Sequence, residues 1–123
     1  MLEINQSAPD FSLADAQGIS HSLNDFQGQW LILYFYPKDN TPGCTKEACS
    51  LRDNLAQFKT LNATVIGIST DNSASHLKFI EKQSLNFSLL ADTDGKVSAS
   101  YNALFKLGPI KFSKRHSFII NPE

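Results

Sequence analysis

Cysteine is scarce in this 123-residue chain: there are two, Cys44 and Cys49, five positions apart. A loop that small cannot staple a domain, which excludes a structural disulfide framework. Methionine and tryptophan occur once each. Long apolar runs are missing. The longest, Trp30 to Tyr36, stops at Pro37 and falls far short of the roughly 18 residues a membrane span needs. The segment Met1 to Ser7 has no basic stretch leading into an apolar one, so it does not read as a secretory signal. An excess of one charge is missing too. The formal net charge is −1, which supplies no electrostatic pull toward nucleic acid or an anionic membrane. The expectation is a cytoplasmic globular protein with neither nucleic acid nor membrane as partner.

What is present suits a packed core. Hydrophobic residues make up 41% and charged residues 19%, and nine Phe and three Tyr supply bulky side chains. There is no repeat, low-complexity tract or linker, so residues 1–123 read as one domain, an expected size for one core. Ala8–Ala14 and Gly18–Leu23 alternate apolar and polar residues around the turn residues Asp15 to Gly18, the pattern of a β-hairpin. Trp30–Tyr36 and Ala63–Ser69 are continuous apolar runs, as in strands buried on both faces.

Between these two runs, Cys44, Ala48, Leu51, Leu55 and Phe58 follow one another at helical spacing and predict an amphipathic helix. Pro42 and Gly43 sit where that helix begins. Asp71, Asn72 and Ser73 are good caps for a second helix, whose buried side is expected from Leu77, Phe79 and Ile80. A strand over Phe87–Ala91, a short helix over Lys96–Tyr101, an irregular basic loop over Lys106–Lys114 and a last strand over His116–Ile120 complete the pass. Strands alternating with helices predict an α/β sandwich with a partly parallel central sheet. In such sheets reactive groups collect at the carboxyl ends of the strands, and Cys44 lies just past that end of the Trp30–Tyr36 run.

A thiol reacts as thiolate, and an ordinary cysteine, with pKa about 8.5, is mostly protonated at neutral pH. The start of a helix favours the anion through its unpaired backbone N–H groups and dipole. Thr41 lies three residues before Cys44, and its hydroxyl could bond the sulfur or a bound oxygen. Pro37 has no N–H to donate and would wall the pocket. Against this stands the plain reading of Cys44 as a small core residue. Cys49 on the same straight helix would be offset from Cys44 by about 140°, with Cα atoms roughly 8.6 Å apart. A disulfide needs about 7 Å or less, so either the two never pair or the first turns unwind when they do. A metal site is a weak alternative, because the spacing is not CxxC and His21, His76 and His116 are scattered. The same spacing disfavours a thioredoxin-type oxidoreductase.

Pro37 to Cys44 matches the peroxiredoxin signature PxxxTxxC, and the longer run Phe35 to Cys49 resembles the bacterioferritin comigratory protein subfamily, Bcp or PrxQ. Ala8-Pro9-Asp10-Phe11 resembles the N-terminal element of that family, and Arg115 to Ile120 its late strand with the catalytic arginine. The resemblance implies a thioredoxin-like fold, with a mixed central sheet flanked by helices and an N-terminal β-hairpin. It implies thiol-dependent reduction of hydrogen peroxide and alkyl hydroperoxides, with recycling by thioredoxin or a similar dithiol. By the same resemblance Cys44 is the peroxidatic and Cys49 the resolving cysteine. Thr41 orients the sulfur and peroxide, and Pro37 shields the sulfenate. Arg115 holds the thiolate, the N–H groups of Gly43 and Cys44 bind peroxide oxygen, and Glu47 buttresses Arg115. Arg52 is a weaker candidate for the cation. No metal, haem or flavin is implied, because sulfur carries the redox change.

Two other readings remain at this point: a redox-regulated binding module and an inactive thioredoxin-like interaction domain, the second disfavoured by the joint presence of Pro37, Thr41, Cys44 and Arg115. The resemblance also leads to the expectation of a further strand and helix beyond Glu123. The full-length protein is then expected as a monomer, and a chain without them is expected to associate through the incomplete C-terminal edge.

Overall fold

The computed structural model describes residues 7–107 and 110–122. The expected N-terminal hairpin is present as β1 (Ser12–Ala14) and β2 (Ser20–Ser22), paired antiparallel with Ser12 opposite Ser22. Its turn is built by Asp15, whose carboxylate accepts the backbone N–H groups of Gln17 and Ile19, each at 2.9 Å. Gly18 supplies the left-handed backbone angle there, φ +81°.

The apolar run after Gly28 is strand β3 (Trp30–Phe35). Helix α1 (Pro42–Asp53) and helix α2 (Leu55–Thr60) follow, and strand β4 (Ala63–Ser69) returns parallel to β3. Helix α3 (Ser73–Gln83) leads to strand β5 (Ser88–Ala91), parallel to β4. A short helix α4 (Lys96–Ser100) precedes strands β6 (Leu104–Leu107) and β7 (Ile110–Ser113), and strand β8 (His116–Ile120) pairs antiparallel with β3. The main sheet has the order β5-β4-β3-β8, a mixed sheet with β3 central.

Strand β3 is buried on both faces, as a parallel strand under two layers must be. Leu31, Leu33 and Phe35 join Phe11, Ile66, Ile68, Leu90 and Tyr101 in one core cluster. Tyr34 and Tyr36 point the other way, into a cluster with Cys44, Ala48, Leu55, Val65, Phe79 and Leu89 beneath the helices. On that side the Tyr34 ring crosses β4 directly over Gly67, where a Cβ would lie 2.8 Å from its Cζ and 2.7 Å from Leu89 Cδ2. Only glycine fits there.

Three expectations are corrected. The single helix through Phe58 is two helices, because Asn54 leaves the helical conformation (φ −105°, ψ 7°) while its side chain donates back to the Ser50 carbonyl at 2.8 Å. The apolar stripe continues across the break. Of the expected buried side of α3, Phe79 is buried and Ile80 packs against the same cluster, whereas Leu77 is exposed and a histidine, His76, takes the place expected of that aliphatic side chain. The segment read as an irregular basic loop is, apart from residues 108 and 109, which lie outside the described residues, largely the antiparallel pair β6–β7, with Leu104 opposite Ser113. Its lysines broke the apolar count, but alternation, not overall polarity, signals a strand.

Among the described residues no helix is long and apolar enough to cross a membrane. Strand β8 lies at one edge of the main sheet, and Ile119 on it is exposed.

Candidate active site

The backbone N–H of Tyr36 still reaches the Ile68 carbonyl at 3.1 Å, which continues the parallel ladder past the end of β3. Pro37 has no N–H and the ladder stops there. Five residues later the chain is helical. Thr41 is the N-cap of α1, in an extended conformation (φ −82°, ψ 151°), and Pro42 occupies the first helical turn, where its missing N–H costs nothing. The first intrahelical bond runs from Thr45 N–H to the Thr41 carbonyl at 2.8 Å. The N–H groups of Gly43 and Cys44 therefore have no partner within the helix. Together with the positive end of the helix dipole they form a place for an anion beside the Cys44 sulfur.

Arg115 stands in the turn immediately before β8. The β3–β8 register pairs Phe35 with His116, which carries Arg115 to the carboxyl end of β3. Its Nη2 donates to Cys44 Sγ at 3.2 Å, and its Nη1 donates to Glu47 Oε1 at 3.1 Å. Cys44 is buried (2% exposed), whereas the Arg115 side chain above it is 43% exposed. Gly43 makes this approach feasible: a Cβ there would lie 3.0 Å from Nη2. Glu47 is one turn beyond Cys44 on the same side of α1 and fixes the orientation of the guanidinium fork.

Burial raises the Glu47 carboxyl above the ordinary glutamate range, and the charge and hydrogen bond of Arg115 only partly offset this. The sign follows from linkage. A carboxyl whose folded pKa is raised binds its proton more readily in the folded state, so stability falls as pH rises through that window. At neutral pH the fold carries the cost of an ionised Glu47. Glu47→Gln is therefore expected to leave the melting temperature unchanged or slightly raised. The rate at which Cys44 reacts is expected to fall about ten-fold, the scale of one weakened charge-assisted hydrogen bond. Thermal unfolding and initial rates measured on one preparation check this; a lower melting temperature with an unchanged rate would contradict it.

Thr41 differs from expectation. Its hydroxyl donates to the Lys38 carbonyl at 2.9 Å, so its one proton is used and it cannot also donate to the sulfur. Toward a bound peroxide it can act only as an acceptor. Cys49 is half-buried on the same helix and directs its thiol to Gln83 Oε1 at 3.5 Å. Both cysteines are free, as the geometry of an intact helix requires. Arg52 is directed away from Cys44, toward the Gln83 carbonyl at 2.5 Å and Asp53 at 2.9 Å, so it is a helix-surface contact.

Four further residues beside this site carry no motif that marks them. Tyr36, Asp39 and His76 form a buried hydrogen-bonded group behind the loop of residues 37–41. Tyr34 Oη is the one buried side-chain polar atom without a hydrogen-bond partner among the described residues. Burial raises its pKa well above the ordinary tyrosine value, and the nearby charges of Glu47, Asp39 and Cys44 push it the same way. The signal for His76 was present: it lies on the apolar stripe of α3 with Phe79, a position that a histidine occupies only with partners for its nitrogens.

The family model described as "AhpC/TSA family" matches residues 4–123. A putative peroxiredoxin bcp of Helicobacter pylori (strain J99) is 46% identical over 128 residues, spanning 99% of this chain and 83% of the relative. Among solved structures, the peroxidoxin BcpB of Mycobacterium tuberculosis superposes with a TM-score of 0.90 at 35% identity, covering 95% of this chain and 77% of that one. The bacterioferritin comigratory protein of Xanthomonas campestris, solved in connection with its alkyl peroxide reduction activity, superposes with a TM-score of 0.86 at 31% identity, covering 92% and 74%.

Proposed function

This chain belongs to the AhpC/TSA family, where its relatives are Bcp peroxiredoxins, and is a thiol-dependent peroxidase; from that premise we propose that Cys44 is the peroxidatic cysteine and Cys49 the resolving one. The observation that carries the proposal is the bond from Arg115 Nη2 to Cys44 Sγ, 3.2 Å, at a helix start with unpaired N–H groups. The guanidinium and the helix start favour negative charge at this position and receive the peroxide.

The sulfur attacks one peroxide oxygen and the O–O bond breaks. Cys44 becomes sulfenic acid, and the departing oxygen leaves as water or an alcohol after taking a proton. The sulfur gives up two electrons and the peroxide takes them. In this reading the Gly43 and Cys44 N–H groups bind the peroxide oxygens, Thr41 accepts a hydrogen bond from one of them, and Glu47 holds the guanidinium. Pro37 walls the sulfenate from solvent.

Because Cys44 and Cys49 share an intact helix, the next step requires the first turns of α1 to unwind. Cys49 then displaces hydroxide from the sulfenic acid, giving a disulfide and water. A dithiol reductant takes over the disulfide by exchange and restores both thiols. We assign that role to thioredoxin or a similar dithiol, with hydrogen peroxide and alkyl hydroperoxides as substrates, and place the cycle in the cytoplasm, where thiols are kept reduced. We read residues 1–123 as one domain, supported by the two core clusters that share β3 and β4.

The test is stoichiometry. Cys49→Ser is expected to consume one equivalent of peroxide and then stall, with a sulfenate-specific reagent labelling Cys44. The unsubstituted protein with thioredoxin, its reductase and NADPH is expected to turn over continuously. Continuous turnover of Cys49→Ser under the same conditions would remove Cys49 from the resolving role.

A further inference from the structure

His76 is fully buried in the first turns of α3, and both of its ring nitrogens face acceptors. Nε2 is 3.0 Å from the Leu90 carbonyl oxygen, which can only accept. Nδ1 is 2.8 Å from Asp39 Oδ2. Burial works to raise the Asp39 carboxyl, but the hydrogen bond and charge of His76, with the hydroxyls of Tyr36 and Ser75, outweigh it and hold Asp39 below the ordinary range. Asp39 is thus an acceptor as well. His76 therefore bridges Asp39 and the β5 backbone through its two ring nitrogens, and Tyr36 Oη lies 3.3 Å from the same Nδ1.

The rest of the group is also satisfied. Tyr36 Oη donates to Asp39 Oδ1 at 2.6 Å, and Ser75 Oγ donates to Oδ2 at 2.8 Å. The Asp39 backbone N–H donates to Asp71 Oδ2 at 2.7 Å, and Asp71 also accepts the Ser69 hydroxyl at 2.8 Å. Asp39, Asp71 and His76 converge closely enough to suggest a cation, but their facing atoms are already joined through protons.

What these bonds hold is the loop that delivers Cys44. Asp39 is five residues before the sulfur, and the next residue, Asn40, turns the chain through a left-handed conformation, φ 63°. Thr41 then caps α1. The loop otherwise has few internal ties: the Thr41 hydroxyl on the Lys38 carbonyl is one. The position of Asp39 therefore sets where the first turn of α1 starts, and with it the aim of the Gly43 and Cys44 N–H groups and the approach of Arg115.

We propose that His76 is a positioning residue for Cys44: its buried hydrogen bond to Asp39 clamps the loop of residues 37–41 to α3 and the β5 backbone, and holds the start of α1 in the geometry that favours the thiolate. This rests on the reading of Cys44 as the reactive thiol. Its effect is indirect, transmitted through Asp39, because His76 touches neither the sulfur nor the peroxide position. The groups packed around the pair are Tyr36 just past β3, Ser69 at the end of β4, Asp71 beyond it, and Ser75 from α3 itself.

The experiment uses the full chain in the Cys49→Ser background, so that Cys44 is the only thiol. Iodoacetamide alkylation is followed as a function of pH for the parent, His76→Gln, Asp39→Asn and the double variant. Each single variant is expected to shift the alkylation profile to higher pH and to slow alkylation at pH 7 about ten-fold, the effect of one tenth of the thiolate. The double variant is expected to be no slower than the singles, because each breaks the same clamp. Ser75→Ala removes one bond from Asp39 and leaves the bond between His76 and Asp39 in place; about a three-fold slowing in the same direction is expected. That variant decides the matter if the His76 and Asp39 variants do not fold. A parent profile in the folded variants, or a double effect equal to the product of the singles, overturns the proposal. Alkylation needs no peroxide, so a chain without peroxidase turnover would refute the reading of the function while leaving this result to stand on its own.

Discussion

Cys44→Ser is expected to abolish peroxide turnover. A serine hydroxyl in place of the thiol keeps the shape of the site, and Arg115 Nη2, which donates to the sulfur at 3.2 Å, can donate to the oxygen instead. The fold should survive, since the buried hydroxyl has a partner. What is lost is the nucleophile. A serine hydroxyl is not ionised at neutral pH, and no free general base stands beside it among the described residues: the carboxylate of the site, Glu47, is bound to Arg115. Loss of a covalent nucleophile lowers rates by roughly 10⁴-fold or more. Nor can Cys49 substitute, because it faces Gln83 on the other side of the helix, away from Arg115. Peroxide consumption with a coupled dithiol reductant, together with circular dichroism to verify the fold, measures this. Multiple turnovers by Cys44→Ser would overturn the assignment of the nucleophile.

Arg115→Met comes second in size. Methionine keeps much of the length of the side chain and removes the charge and the two-pronged donor. Both bonds go, one to Cys44 and one to Glu47. A hydrogen bond involving an ionised group contributes about 1.5–3 kcal/mol, and loss of that much from the reacting sulfur alone slows the step about 10- to 100-fold. A further loss follows if the same guanidinium polarises the departing oxygen, which brings the expected decrease to roughly 10²–10³-fold in kcat/KM. The alkylation profile of Cys44 should shift to higher pH. Arg115→Lys should fall between the two, since an ammonium keeps the charge and cannot bridge sulfur and carboxylate as a planar fork. Stability should change little, because the Arg115 side chain is 43% exposed and exposed ion pairs stabilise weakly. Stopped-flow peroxide reduction and thermal unfolding give both numbers; an unchanged rate would reduce Arg115 to a surface charge.

The two variants and the Glu47 variant act on one geometric unit made by the start of α1 and the turn before β8. The proposed clamp at His76 acts on the same unit from behind. If both hold, the site is supported from two directions: from solvent by Arg115 and from the core by Asp39.

The elements that the sequence alone determined are the local ones. Trp30–Tyr36 reads as a buried strand and Pro42-Gly43-Cys44 as a helix start, because periodicity and proline geometry act over a few residues. The same local rules placed both cysteines on one helix and out of bonding reach. Tertiary structure decided everything that depends on which distant groups meet. Arg115 reaches Cys44 across 71 positions because β8 pairs with β3 in one register, which no local pattern specifies. His76 and Asp39 are 37 positions apart and read separately as a stray histidine and a loop acid. Packing of α3 against the loop removes both from water and so forces them to pair. The Thr41 hydroxyl turned to Lys38 for the same kind of reason: the donor bonds the acceptor that the folded loop brings closest, and that choice is made only once the loop is held in place.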